Sequence, residues 1–587
     1  MINHFKKLIR GLILLFVILV SFSSNAQTIV PKIFGNYMVL QRNDSVKIWG
    51  WDSVSTTIEV LTSWNLTTYN TVANSNGKWS VLVSTPDTSS INNIPNPYTV
   101  TIAGSDTIML SNVVIGEVWL CSGQSNMQMP LQGFGNLEPV DNGTAIINES
   151  VPRYDNYIRH IEIPRTLSKT PQDTLGNKNK RHAWQGPTTI ANQKRLFGAI
   201  AYMFARQMHD SLNMPIGVIS CAKGGTIIEA WLDSESTFKF SFIDSTSSNY
   251  LFPDDTTDPA INTPSAAYNG MIHPIKGYGI KGMLWYQGEG NRGRPDEYKE
   301  LLPELVSSFR QKWEINFPFY YVQIAPHSNN RGPFWESNRQ SYYSMNDTLG
   351  QVGMVISSDL GQYDSLCINY VNHPPKKQEI ADRLARWALV ENYGFTGFIK
   401  SGPIARMAYL DSTGTAIMVD FDFAGNSLVP NPDGMNNYEI AGLDHVFFPA
   451  ITEVNTNNTL KFTSPLVISP QWVRTGEGNC PDSASLHNEA DLPASAFTME
   501  ANVSVGFSIK ETKQFDLSIY PNPTNNLIQI EIENYKGSFE AELYDFTGKL
   551  LETTNKTSLS LDDYLSGIYL LKITFGDRVE QMKVVKE

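Results

Sequence analysis

The chain has 587 residues and a formal charge of −13, from 45 basic and 58 acidic side chains, with charged residues making up only 18% of the total. At about 150 residues per domain this suffices for roughly three to five folding units, and an acidic chain with no basic run beyond its N-terminus argues against a nucleic-acid partner. Four cysteines, at 121, 221, 367 and 480, form no CxxC pair, so neither a zinc knuckle nor a disulfide-stapled fold is expected.

Residues 1–26 read as a secretory signal. Lys6, Lys7 and Arg10 precede an apolar run over 11–22, and Ser24, Asn25 and Ala26 supply the small residues of a cleavage site. The apolar run is short of the ~20 residues that span a bilayer, so export with cleavage is expected rather than anchoring. From 28 to 108 short runs such as 46–49, 57–60 and 79–83 alternate in polarity and are broken by Asn, Asp, Gly and Ser. That spacing predicts an antiparallel β-domain. The pattern changes near 110, where apolar runs at 113–121, 215–220, 280–287, 319–325 and 353–357 end in Gly or Ser and alternate with helical stretches. Apolar strands interleaved with helices predict a parallel sheet covered on both faces, within a domain over 109–395. The clearest helix is 376–392, with Ile380, Leu384, Trp387 and Ala388 on one face and Pro374-Pro375 before its start. A β-rich region follows over 396–505, and a last one over 513–587. No internal repeat of 20–50 residues is visible.

In open α/β sheets chemistry collects beyond the carboxyl ends of the strands, so the residues after the apolar runs are the candidates. Ser125, in Gly123-Gln-Ser-Asn-Met127, follows the first run, where a glycine lets the chain turn and a serine leave the sheet. A serine is a weak nucleophile until a base activates it. Gly224-Gly225 follows the second run and can present backbone N–H groups to an oxyanion. Gln287, Glu289 and Asn291 form a polar cluster after the third, suited to an oxyanion or a sugar. Among nine histidines, His373, just before the helix at 376, lies at the same sheet edge as Ser125, and His273 is the alternative base. Each of these also has an ordinary reading as a polar turn, a glycine loop, a solvated strand end or a structural histidine. No GxGxxG after a strand, GxxxxGK[ST], HExxH or EF-hand pattern is present, so no cofactor is expected and a hydrolase using side chains alone fits.

Taken in order, these motifs resemble the sialate O-acetylesterase family, carbohydrate esterases of the SGNH-hydrolase superfamily. The resemblance runs from about 32 to 500 and includes Met38-Val-Leu-Gln-Arg42, Gly116-Glu-Val-Trp119, Gly224-Gly-Thr226, Trp285-Tyr-Gln-Gly-Glu289, His373-Pro374 and Trp472-Val-Arg474. It implies a flavodoxin-like three-layer α/β/α domain with flanking β-sandwich regions. It also implies Ser125 as nucleophile, His373 as base, and the Ser125 and Gly225 amides as oxyanion donors, with a third donor from 287–291. Where a D-x-x-H pattern would place an aspartate, the chain has Tyr370. Asp359 is then the expected acid orienting His373, Asp364 the second candidate, and a Ser–His dyad held by a backbone carbonyl a third arrangement. The implied substrate is an O-acetylated sugar, with sialic acid ahead of xylan or another polysaccharide. A non-catalytic carbohydrate-binding surface protein is the competing class.

The tail resembles the C-terminal sorting domain of the type IX secretion system, through Tyr520-Pro-Asn-Pro523, Asp545-Phe-Thr-Gly548, Gly567-Ile-Tyr569 and Lys583-Val-Val-Lys586. It implies export across the outer membrane to the cell surface or medium.

Overall fold

The computed structural model describes residues 27–88, 97–135, 138–149, 152–176, 182–186, 193–244, 260–325, 331–361, 373–431, 435, 438–456, 458–475, 486–501, 517–532, 537–545, 549–575 and 578–586. The expected signal segment, Asp364, Tyr370, Cys367 and Cys480 lie outside them. The chain divides into two units, Met1–Ser504 and Val505–Glu587. Among the described residues no helix is long and apolar enough to cross a membrane.

The first unit is mixed α/β. Six strands run parallel in the spatial order Ile158–Glu162, Ile216–Ala222, Thr107–Gly123, Gly282–Tyr286, Phe319–Val322 and Val352–Val355. The five expected apolar runs are all in this sheet; the sixth strand, Ile158–Glu162, has the polar composition IRHIE and gave no such signal. Side chains on both faces of these strands are buried, which is why they read as continuous apolar runs rather than alternating ones. Helix Lys377–Tyr393 packs on Ala199–Leu212, and Pro295–Trp313 packs on Arg331–Thr348. In the helix predicted at 376–392, Ile380, Leu384, Trp387 and Ala388 are buried as expected, and the Trp387 indole donates to the Met354 carbonyl at 3.2 Å.

Strand Thr107–Gly123 is 17 residues long and belongs to two kinds of pairing. Its last residues pair in parallel with the α/β strands. Its first residues pair antiparallel with Tyr98–Ala103, which continues to Thr57–Thr62 and Thr67–Val72. The expected border at 108 therefore falls inside a strand, and residues from Ile33 to Ile404 share one hydrophobic core. Residues 404–500 form two four-stranded antiparallel sheets and a short two-stranded one around a second core containing Phe421, Tyr438, Phe462 and Phe497. Buried Arg339 ties that region to the α/β body by donating to the Ala405 carbonyl at 2.9 Å, while Glu336 accepts from the Thr498 amide at 3.2 Å.

The second unit holds a three-stranded and a four-stranded antiparallel sheet. Between them lies a core of its own that includes Ile528, Ile530, Leu543, Leu571, Ile573 and Val584. Alternation is clear in Gly567–Phe575, where every second side chain from Tyr569 is buried.

Candidate active site

The chain order reverses at Thr107–Gly123, whose neighbours Ile216–Ala222 and Gly282–Tyr286 lead away to opposite edges. Such a switch point opens a crevice beyond the strand ends. Gly123 ends the strand at φ +133°, where a Cβ would lie 2.1 Å from the Tyr286 carbonyl oxygen. Only glycine fits there, and the chain turns at once into the short helix Ser125–Gln128. The Gln124 amide donates to the Tyr286 carbonyl at 2.9 Å, and the Gln124 side chain accepts from the Gly288 and Gly290 amides. Ser125 is thereby held partly exposed at the head of a rigid turn.

The loop after Ile216–Ala222 lies against this turn. A Cβ on Gly224 would sit 3.2 Å from Ser125 Cβ, and the Gly224 amide donates to Gln128 Oε1 at 2.7 Å. Gly225 follows at φ +79°, in the left-handed region that glycine adopts without strain. Among the described residues neither the Ser125 nor the Gly225 amide donates to a protein acceptor, so both donors are available to a ligand.

The loop after Gly282–Tyr286 behaves differently. Gln287 and Asn291 are fully buried. Gln287 Nε2 donates to the Thr226 carbonyl and to Asn291 Oδ1. Asn291 Oδ1 also accepts from the Ile228 amide at 2.9 Å, and its Nδ2 donates to Glu229 at 3.0 Å. These two side chains, expected to face an oxyanion or a sugar, instead lock the second loop to the third. Glu289 does reach the site, where it accepts from Asn126 Nδ2 at 2.5 Å.

His373 stands before helix Lys377–Tyr393, and its Nδ1 lies 2.9 Å from Glu138 Oε1. A carboxylate accepts, so Nδ1 is the donor, and in the neutral imidazole Nε2 keeps a lone pair for a substrate-side proton. Phe134 packs edge-on to the ring with centroids 5.0 Å apart. The loop carrying Phe134 and Glu138 is fixed by the Phe134 amide donating to the Glu138 carbonyl, and by the Asp141 amide donating to the Pro375 carbonyl. Asp359, the expected orienting acid, is elsewhere. Both its oxygens accept from Arg383, at 2.7 and 2.6 Å, and the carboxylate on His373 is that of Glu138. The contact expected of it is made by Glu138, 235 residues from His373 in sequence, in a segment with no periodic pattern to mark it.

The other described histidines have different work. His160 is buried against Ser220 at 2.8 Å, and burial pulls its pKa down to about 3. His182, His209 and His273 each meet a backbone carbonyl, those of Glu162, Met214 and Gln172. His273, the alternative base, stands before the beginning of strand Gly282–Tyr286, whereas Ser125 follows the end of Thr107–Gly123.

Behind Ser125 runs a buried polar chain that sequence patterns did not reveal. Asn126 Oδ1 accepts from Lys377 Nζ at 2.5 Å while its amide nitrogen serves Glu289. Burial pulls Lys377 down to about 7, against the opposing influence of Glu289 and Glu138. Burial pushes the Glu289 carboxyl above its ordinary range, opposed by its backbone, Asn126, Lys377 and His373. Glu289 and His373 are therefore electrostatic neighbours. Ser125 Oγ makes no hydrogen bond to His373 among the described residues; in unliganded sites such contacts often close only with substrate.

Residues 115–387 match the family model described as carbohydrate esterase, sialic acid-specific acetylesterase, and residues 518–587 match the secretion system C-terminal sorting domain. Mouse sialate O-acetylesterase is 26% identical over 462 residues, covering 70% of this chain and 82% of the mouse protein. The human enzyme is 29% identical over 321 residues, covering 51% and 57%. A crystal structure of a carbohydrate acetylesterase from Xanthomonas citri aligns with TM-score 0.66 and 27% identity, covering 81% of this chain and 99% of that one. Strand switch, serine turn and histidine all fall in the matched segment, and the chain is a sialate O-acetylesterase-like carbohydrate esterase whose residues 518–587 match a secretion-system sorting domain.

Proposed function

We propose that the protein removes O-acetyl groups from sugars by a two-step acyl transfer on an SGNH-type α/β/α scaffold, with Ser125 as nucleophile, His373 as base and Glu138 as the acid that orients it. The observation that carries this reading is the 2.9 Å contact of His373 Nδ1 with Glu138, because it selects the tautomer whose Nε2 can take the serine proton. Ser125 Oγ attacks the acetyl carbonyl as its proton passes to His373 Nε2. The oxyanion forms against the Ser125 and Gly225 amides, which lack protein acceptors among the described residues. His373 then protonates the departing sugar oxygen, and water activated by the same imidazole releases acetate and frees Ser125.

Sialic acid is the favoured acetylated sugar, since the family model and the mouse relative carry that name. The signal-like N-terminus and the sorting domain support delivery to the cell surface or the medium. Acetate release from 9-O-acetylated sialic acid, measured beside release from acetylated xylan, tests the substrate. A higher kcat/KM on xylan would move the assignment to a polysaccharide acetylesterase. Fluorophosphonate labelling that depends on Ser125 tests the mechanism, and a chain with neither label nor turnover would instead be a carbohydrate binder.

A further inference from the structure

A cleft of about 460 Å³ opens away from Ser125, between the N-terminal β-strands and the segment 273–276. That segment leads into the beginning of strand Gly282–Tyr286, whereas Ser125 sits where the parallel strands end. Half-buried Trp49 and Trp51 line it from strand Ser45–Trp51. Trp49 is held by an edge-on contact with Phe34 at 4.6 Å between ring centroids. Lys47, Lys78 and Lys276 line the same space, with Asp173 as the acidic residue among its lining side chains. Asp173 is taken by Lys78 at 2.7 Å, and among the described residues no carboxylate pairs with Lys47 or Lys276. Burial first, then Lys312 nearby, holds Lys276 below the ordinary lysine range; Lys312 itself is neutralised by Glu235.

An acidic chain thus gathers, beside two indole rings, two ammonium groups that have no carboxylate within ion-pair distance among the described residues. Aromatic rings give a sugar ring a flat apolar seat, and ammonium groups in a cleft attract a carboxylate. We propose that this cleft is a second, non-catalytic site for a carboxylate-bearing sugar, a nonulosonic or hexuronic acid, which it holds at the opposite edge of the sheet from the esterase chemistry. The preference for a carboxylate follows from Lys47 and Lys276; the choice of a sugar as its carrier rests on the esterase reading. A bound acidic glycan would keep the enzyme on its polymer between deacetylations and raise the local concentration of acetyl groups.

The test is calorimetric titration of the full chain carrying Ser125→Ala, with N-acetylneuraminic acid, glucuronic acid and neutral galactose as separate probes. At least one of the two acids should bind at least tenfold more tightly than galactose, and which one does identifies the source. Adding Lys47→Ala and Lys276→Ala should remove one equivalent of binding or weaken it at least tenfold. Lys47→Ala alone, at an exposed position, should give a partial loss at unchanged melting temperature. Galactose binding as tightly as both acids, or acid binding with unchanged affinity and stoichiometry in the lysine variants, overturns the proposal. The lysine changes made with Ser125 intact should leave p-nitrophenyl acetate turnover within twofold, so that a failure of the cleft and a failure of the esterase reading are read separately.

Discussion

Two glycine-bearing loops follow the strands that flank Thr107–Gly123, at the carboxyl edge of the sheet, and they have opposite characters. The 223–226 loop lies against Ser125 and leaves the Gly225 amide without a protein acceptor among the described residues. The 287–291 loop is richer in polar side chains, yet the Gln287 amide nitrogen and the Asn291 side chain bond inside the protein, with Thr226, Ile228 and Glu229. A dense polar cluster at a strand end is therefore a poor guide to where a ligand binds. Groups left without internal partners are a better one, since a buried amide or carbonyl is almost always satisfied. The first loop leaves a donor open to a ligand, while Gln287 and Asn291 hold the second loop to the first.

The largest effect separates the nucleophile from everything else. Ser125→Ala should lower kcat on p-nitrophenyl acetate by about 10⁴-fold or more at an unchanged melting temperature. Retained turnover would remove Ser125 from the mechanism. Next comes the imidazole's partner. Glu138→Gln should lower kcat by about 10²- to 10⁴-fold, because the orienting acceptor and its charge are weakened, while Asp359→Asn should stay within a few-fold because that carboxylate serves Arg383. The reverse ranking of these two variants would restore Asp359 as the orienting acid.

The two loops can then be set against each other directly. Gly225→Ala forces a side chain into φ +79° and displaces a donor, so kcat should fall about 10- to 10³-fold with little change in KM. Asn291→Ala should cost about 2–4 kcal/mol of stability, since it leaves buried partners unsatisfied at about 1–3 kcal/mol each, yet folded enzyme should keep kcat within a few-fold. Urea unfolding and turnover measured on both variants decide the point; a kcat loss in Asn291→Ala matching that of Gly225→Ala would erase the distinction.

The smallest effect concerns Lys377. Its folded pKa of about 7 lies below the ordinary 10.5, so between these values the unfolded chain binds more protons than the folded one. Stability gains a rising contribution with pH across that window. Lys377→Met removes it, and the difference in melting temperature between pH 9.5 and pH 7 should be less positive in the variant. An unchanged difference would show that Lys377 does not titrate there.

Strand positions were legible because burial on both faces writes itself as uninterrupted apolar runs, and the helix at 376 because its apolar positions recur at helical spacing. Strand Ile158–Glu162 was not, since Arg159 and His160 are buried by tertiary context that composition does not announce. Ser125 stood out through its glycine turn. The acid facing His373 was hidden for a different reason: Glu138 reaches it through space across 235 residues, and no local periodicity encodes such a meeting. Asp359 lay at the right edge of the sheet, but Arg383 on the following helix claims it. Asn126, though inside the serine motif, gave no sign of its buried contacts with Glu289 and Lys377, because those too are long-range.

The 17-residue strand that ends at Gly123 makes the catalytic body indivisible from what precedes it. Val39–Gln41 pairs with Val114–Gly116, and Gln41 bonds both the Glu117 carboxylate and the Val118 amide. A chain begun at residue 109 would not shed an appendage. It would bare a raw sheet edge directly upstream of the nucleophile and leave buried Glu117 without Gln41 and Arg42, an invitation to aggregate rather than a minimal enzyme.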